Sequence, residues 1–290
     1  VPSRGCAAMS SRPRICGVTV THDSADFVEL MLRTLFLTNN LAGLKFTMTV
    51  LDNSSGDPHR ARLASYLGEH GIPIRPTGFA HYIAAEQHGV ALSNFVRSDA
   101  DCSHYVFLDA DMWFVEPDTI ATMLRELEAA PTNTFGVQAR IFGYYLGRVY
   151  EGRDGIPGTN YWEDKEAAWP IEFEGRHYAN RYATRISPVC SLIANTPLFR
   201  RLVDTVGLSQ AIRFGVGEVI YHDTFSLMTH VMATHGQKFI VSSRTVNHFG
   251  QTTYVSDERS PRDRDCSLLL EELRAGRGMS LANFFAPARA

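Results

Sequence analysis

Three short apolar, β-rich runs each end in a cluster of turn-forming and acidic residues, and this constrains the fold more than any other feature. Ile15-Cys-Gly-Val-Thr-Val20 runs into Thr21-His-Asp-Ser24, residues 46–51 into Asp52-Asn-Ser-Ser-Gly-Asp57, and Tyr105-Val-Phe-Leu108 into Asp109-Ala-Asp111. Such runs read as buried strands. After the first, Phe27, Leu30, Met31 and Leu35 recur at helical spacing, with Asp23 or Ser24 able to cap that helix. After the second, Pro58 opens a helix to about His70, followed by a weak strand over Ile72 to Ile74 and a helix over residues 81–96. Strands alternating with helices predict an α/β, Rossmann-like fold: one mostly parallel central sheet with helices on both faces. In such sheets ligands sit beyond the carboxyl ends of the strands, so all three polar clusters are expected on one edge.

The second half differs. Residues 140–185 read as an aromatic-rich loop region containing Trp162 and Trp169, an insert in the domain. Beyond it the patterning predicts a strand over Ser191 to Ala194, helices over Pro197 to Val206 and His222 to His235, and a strand over Lys238 to Val241. The expected organisation is an extension over 1–14, one domain over 15–255 divided near 139 and 140, and a charged tail over 256–290 with a helical stretch near Leu268 to Arg274.

With 290 residues, 44% hydrophobic and 20% charged, the chain is long enough to bury a substantial core. A net charge of −3 offers no basic excess for nucleic acid. No apolar run reaches the roughly 18 residues of a membrane span, and the first residues lack the apolar core of a signal peptide. Met9 is a candidate start. The five cysteines, Cys6, Cys16, Cys102, Cys190 and Cys266, are scattered singly. That pattern argues against disulfides or a cysteine zinc site and for a cytoplasmic protein.

The chemistry centres on Asp109 and Asp111. Two carboxylates at i and i+2 past an apolar strand can hold a hard cation such as Mg²⁺ or Mn²⁺, which shares its coordination with substrate phosphates. A lone D-x-D also occurs in solvated turns, but here apolar residues flank it on both sides.

Val18-Thr-Val-Thr-His-Asp-Ser24, Val50-Leu-Asp-Asn-Ser-Ser55, Val106-Phe-Leu-Asp-Ala-Asp111, Tyr221-His-Asp-Thr-Phe-Ser-Leu227 and Val246-Asn-His-Phe-Gly-Gln-Thr252 stand in the order and spacing of the inverting family 2 glycosyltransferases. The resemblance spans about residues 15–253. It implies the GT-A fold, with residues 140–185 as an insert on the acceptor side, and transfer of a sugar from a UDP- or dTDP-sugar with Mn²⁺ or Mg²⁺ as cofactor; the lack of a membrane-spanning run favours a soluble small-molecule or saccharide acceptor. By the same resemblance Thr21 and Asp23 line the nucleotide pocket and Asp52 accepts from the pyrimidine ring. Asp109 lies near ribose and metal, Asp111 ligates the metal, and His248 is a further ligand or diphosphate contact. His88 stands where a polar donor contact is common, and Asp223 is the general base. Trp162 and Trp169 are candidates for the acceptor wall, since sugar rings stack on aromatic faces. His222 departs from the usual glutamate, which leaves Glu218 as a rival base.

Each residue has a plainer reading: Asp52 closing a turn, Asp23 and Asp223 capping helices, His248 and the aromatics packed. Two other functions fit the same fold class. A nucleotidyltransferase would show a glycine-rich basic loop after the first strand, where Thr-His-Asp-Ser stands instead. A non-catalytic carbohydrate- or nucleotide-binding protein would not need Asp109, Asp111 and Asp223 together. The sequence assigns no oligomeric state.

Overall fold

The computed structural model describes residues 13–79, 84–145, 147–149, 165–167, 171–178, 185–214, 220–250 and 256–276. The first strand, β1 (Arg14–Thr21), pairs in parallel with β2 (Lys45–Asp52) and with β4 (His104–Asp109), and β2 carries the short edge strand β3 (Ile74–Pro76). Three helices complete this half: α1 (Ala25–Thr38), α2 (Asp57–Glu69) and α3 (Ala84–Ser98). The alternation that the sequence predicts is therefore present.

Beyond β4 the sheet becomes mixed. It contains β5 (Met112–Phe114), β6 (Thr134–Gly143), β7 (Arg148–Val149), β11 (Cys190–Ala194) and β14 (Lys238–His248), and its order is β3-β2-β1-β4-β11-β6-β14-β5, with β7 on β6. The strand β11 lies antiparallel between β4 and β6, β14 is parallel to β6, and β5 returns antiparallel onto β14. Two small sheets stand apart. One pairs β9 (Ile171–Phe173) with β10 (Arg176–Tyr178); the other is β13 (Ile220–Thr224), β12 (Ser209–Phe214) and β8 (Lys165–Ala167).

Strand side chains alternate between faces, so each face of the main sheet has its own core. Val106 and Leu108 of β4 pack with Val28, Met31 and Leu35 of α1, Leu67 of α2, and Met123 of α4 (Thr119–Ala129). Tyr105 and Phe107 point the other way. They join Leu92 and Phe95 of α3, Phe199 and Leu202 of α5 (Pro197–Thr205), and Met228 of α6 (Ser226–Thr234). A third cluster gathers Phe27 and Leu30, Trp113 of β5, Phe249, and Cys266 and Leu270 of α7 (Ser256–Arg274). The tail helix thus begins earlier than its apolar spacing suggests and is docked on α1.

Three expectations are corrected. Residues 222–224 form the end of β13, and the helix starts only at Ser226. The backbone of Ile220 to Thr224 pairs with β12, and Phe225, at φ 72°, turns the chain between strand and helix. Cys16 and Cys102 form a disulfide with Cα atoms 5.9 Å apart, while Cys190 and Cys266 are free and buried. Isolated positions in sequence said nothing of this pair, because the β1–β4 pairing supplies its proximity. Ser24 is the N-cap residue of α1 but makes no side-chain cap bond; its hydroxyl donates to His22 O instead. No helix among the described residues is long and apolar enough to cross a membrane.

Candidate active site

Register brings the polar clusters to one edge. Thr21, the last residue of β1, is opposite Asp52 of β2, and Val20 is opposite Asp109 of β4. The loops after β1 and β2 are stitched together. Gly56 N–H donates to Asp23 Oδ1 at 2.7 Å, Asp23 N–H to Ser55 Oγ at 3.1 Å, and His22 Nδ1 lies 2.8 Å from Asn53 O. Asp23 and Ser54 both hold left-handed backbone, φ 47° and 60°. Non-glycine residues in this region cluster at ligand sites, where surrounding bonds over-determine them.

Asp52 is buried, and its carboxylate already accepts from Ser55 N–H and from Arg60 Nε, each at 3.1 Å. A carboxylate has about four acceptor positions, so further acceptance is chemically open. Sequence reading missed Arg60, although its place in the first turns of α2, eight residues past Asp52, was a usable signal.

The most ordered chemistry stands at β4, β5 and β14. Asp109 ends β4, Asp111 sits in the tight turn to β5, and His248 ends β14, paired with Met112. Phe249 N–H donates to Asp111 O at 3.0 Å, which clamps the two segments. The imidazole Nε2 of His248 is therefore 3.0 Å from Asp111 Oδ1 and 3.9 Å from Asp109 Oδ2. One ligand atom from each of the three residues lies within 4.8 Å of the others.

The electrostatics are those of a site short of positive charge. Burial raises the Asp109 carboxyl above its ordinary range against the pull of His88, and Asp111 adds to the rise. Burial pulls the His248 imidazole down, but Asp111 and Asp109 outweigh it and leave the group above its usual value. Two carboxylates and an imidazole are a donor set that Mn²⁺ or Mg²⁺ accepts, and a divalent cation would relieve the carboxylate repulsion. The residues fit the cofactor that the sequence implies.

On the other wall His88 of α3 reaches two elements. Its Nδ1 is 3.0 Å from Thr224 Oγ1, and its Nε2 is 3.6 Å from Asp109 Oδ1. Arg185, which the sequence did not single out, hydrogen-bonds Thr224 O through its guanidinium. Asp223 is on β13 with its backbone opposite Gln210; its side chain lies outside the described residues, as do Glu218, Trp162 and Trp169. Among the described aromatics of this half, Phe173 and Tyr178 are buried in the core and Tyr144 packs edge-on against Trp113, as in the plainer reading, while Tyr145 is exposed.

No family model matches the sequence, and no curated protein matches it. Solved structures match the fold. The mannosyltransferase PcManGT from Pyrobaculum calidifontis, in complex with GDP-Man and Mn²⁺, is 14% identical with a TM-score of 0.54, over 96% of this chain and 68% of that one. GalNAc-T7 with UDP, GalNAc and Mn²⁺ is 13% identical with a TM-score of 0.52, over 82% of this chain and 44% of that one. The fold of this chain is the GT-A fold of those glycosyltransferases, a Rossmann-like α/β architecture. It spans less than half of the GalNAc-T7 chain.

Proposed function

We propose that the chain is a metal-assisted glycosyltransferase of the inverting family 2 type, moving a sugar from a UDP- or dTDP-sugar to a soluble acceptor, a small natural product or a saccharide. The observation that carries the reading is the Asp109, Asp111 and His248 cluster at the carboxyl edge of a GT-A sheet. Residues 15–255 would form the catalytic domain, with the donor half before 140 and the acceptor half after it. Thr21, Asp23 and Asp52 hold the nucleotide, and Asp109, Asp111 and His248 hold the cation. When bound, the divalent ion neutralises charge on the departing diphosphate.

In the reaction an acceptor hydroxyl oxygen attacks the anomeric carbon from the face opposite the diphosphate. The carbon–oxygen bond to the diphosphate breaks, and its electron pair leaves with that group. Asp223 takes the acceptor proton as general base. One displacement inverts the anomeric centre. The motif resemblance over residues 221–227 and the place of the Asp223 backbone near the end of β13 support this role. The Cys16–Cys102 disulfide withdraws the support that cysteine usage gave to a cytoplasmic location.

Calorimetry tests the reading. UDP is titrated into wild type and Asp111→Ala with Mn²⁺, Mg²⁺ or EDTA. Binding should weaken about tenfold or more with EDTA or with the substitution, the scale of losing a metal contact of about 1.4 kcal/mol or more. If UDP, dTDP and GDP all fail to bind with either metal, there is no donor site here and the reading is wrong.

A further inference from the structure

His88 stands at the meeting of two sheets that share no strand pairing among the described residues. Asp109 ends a strand of the main sheet, and Thr224 ends β13 of the small one. One imidazole spans them, with Nδ1 at 3.0 Å from Thr224 Oγ1 and Nε2 at 3.6 Å from Asp109 Oδ1. Both ring nitrogens are thus turned toward protein groups, and the ring is mostly buried.

The backbone around it is shaped for this reach. Gly89, the next residue, packs against Ser209 of β12 so closely that a Cβ there would stand 2.3 Å from Ser209 Cβ and 2.8 Å from its Cα. Ser209 is in turn paired with Thr224. Any side chain at 89 would push α3 away from the small sheet and draw His88 off Thr224. The close approach and the hydrogen bond are separate observations that point to one function.

We propose that His88 is a positioning residue, which fixes the separation between the metal-site carboxylate Asp109 and the end of β13 where Asp223 stands. The donor, held from the Asp109 side, and the acceptor, deprotonated from the β13 side, would then stay in register. This rests on the glycosyltransferase reading and departs from a direct donor contact by His88. Displacing reacting groups by about 1 Å can cost on the order of a hundredfold in rate while binding is kept.

The test uses the full chain and the slow hydrolysis of a panel of UDP- and dTDP-sugars, in which water serves as acceptor. His88→Ala should lower kcat about tenfold or more, with KM and the Kd for UDP with Mn²⁺ within about twofold of wild type. His88→Asn, which keeps an amide near Nδ1, should recover a large part of the loss. Thr224→Val should lower kcat similarly and add little to His88→Ala, since both break one bridge. It also serves should His88→Ala fold poorly. Three results overturn the proposal: unchanged kcat in both variants, a loss of UDP affinity equal to the loss of kcat, or additive losses. A wild type that binds UDP with Mn²⁺ but hydrolyses no member of the panel also overturns it, because no register between donor and base then exists. A wild type that binds none of UDP, dTDP and GDP overturns the glycosyltransferase reading itself and the proposal with it.

Discussion

Asp23 illustrates how a residue can be legible in kind and not in role. Its place after β1 marks it for a helix cap or a nucleotide pocket. In the structure it holds φ 47° and joins two loops by accepting from Gly56 N–H. Left-handed backbone costs a residue with a Cβ roughly 1 kcal/mol or more, and glycine nothing comparable. Asp23→Gly and Asp23→Ala both remove the carboxylate, and only the alanine keeps the strain. Urea unfolding should therefore find Asp23→Ala less stable than Asp23→Gly by about 1 kcal/mol. An alanine variant equal to or more stable than the glycine one would contradict the strained loop. His248 shows the opposite case. Its place in the cluster depends on β5, three residues long, pairing with β14, which brings His248 to Asp111 across a separation of 137 residues. Neither periodicity nor local propensity encodes such a contact; the motif resemblance reached it.

Among the elements, α7 was the least legible, because its charged, weakly periodic sequence reads as a tail. What docks it is a layer of aromatic and apolar contacts with a partly exposed ion cluster around the buried Glu29 beside it. Cys266 and Leu270 enter the Trp113 and Phe249 layer directly behind Asp111 and His248. Glu29 of α1 is buried and accepts from Arg33 Nε at 2.7 Å and Arg274 Nε at 3.0 Å. Burial would raise the Glu29 carboxyl, but hydrogen bonds from Arg274 and Arg33 outweigh it and hold the group below the ordinary glutamate value. A depressed folded pKa gives stability that is fully present above the unfolded value, about 4.3, and is lost as pH falls through the folded one. The melting temperature should accordingly drop below about pH 4 more steeply in wild type than in Glu29→Gln. At neutral pH, Arg274→Ala should cost about 1–2 kcal/mol, less than a fully buried charged hydrogen bond, because the Arg274 side chain is 40% exposed. Parallel pH–melting curves for wild type and Glu29→Gln would remove Glu29 from the account of how α7 is held.

At the scale of the whole molecule, the parallel half could be read from sequence because β1 and β2 are apolar runs each followed directly by a helix, and β4 is an apolar run preceded by one. In the mixed half the sequence marked β11, α5 and the start of β14 but not the strand order, since β6, β11 and β14 find their partners across long separations and their order follows from tertiary packing. The disulfide belongs to the same class of facts. Cys16 and Cys102 are 86 residues apart, and they meet because β1 lies beside β4 at the centre of the sheet. Closing a loop of that length constrains the unfolded chain and contributes about 2–4 kcal/mol when the native geometry accepts the bond. Cys16→Ser should lower the melting temperature by roughly 5 °C or more, since each kcal/mol is worth about 2–4 °C in a large domain. Dithiothreitol should have the same effect on wild type and none further on the variant. Thiol counting in denaturant gives an independent check. Of the five cysteines, three should react before reduction and five after. Five reactive thiols before reduction in freshly purified protein would mean that the bond does not form, and a reducing compartment would then regain its support from cysteine usage.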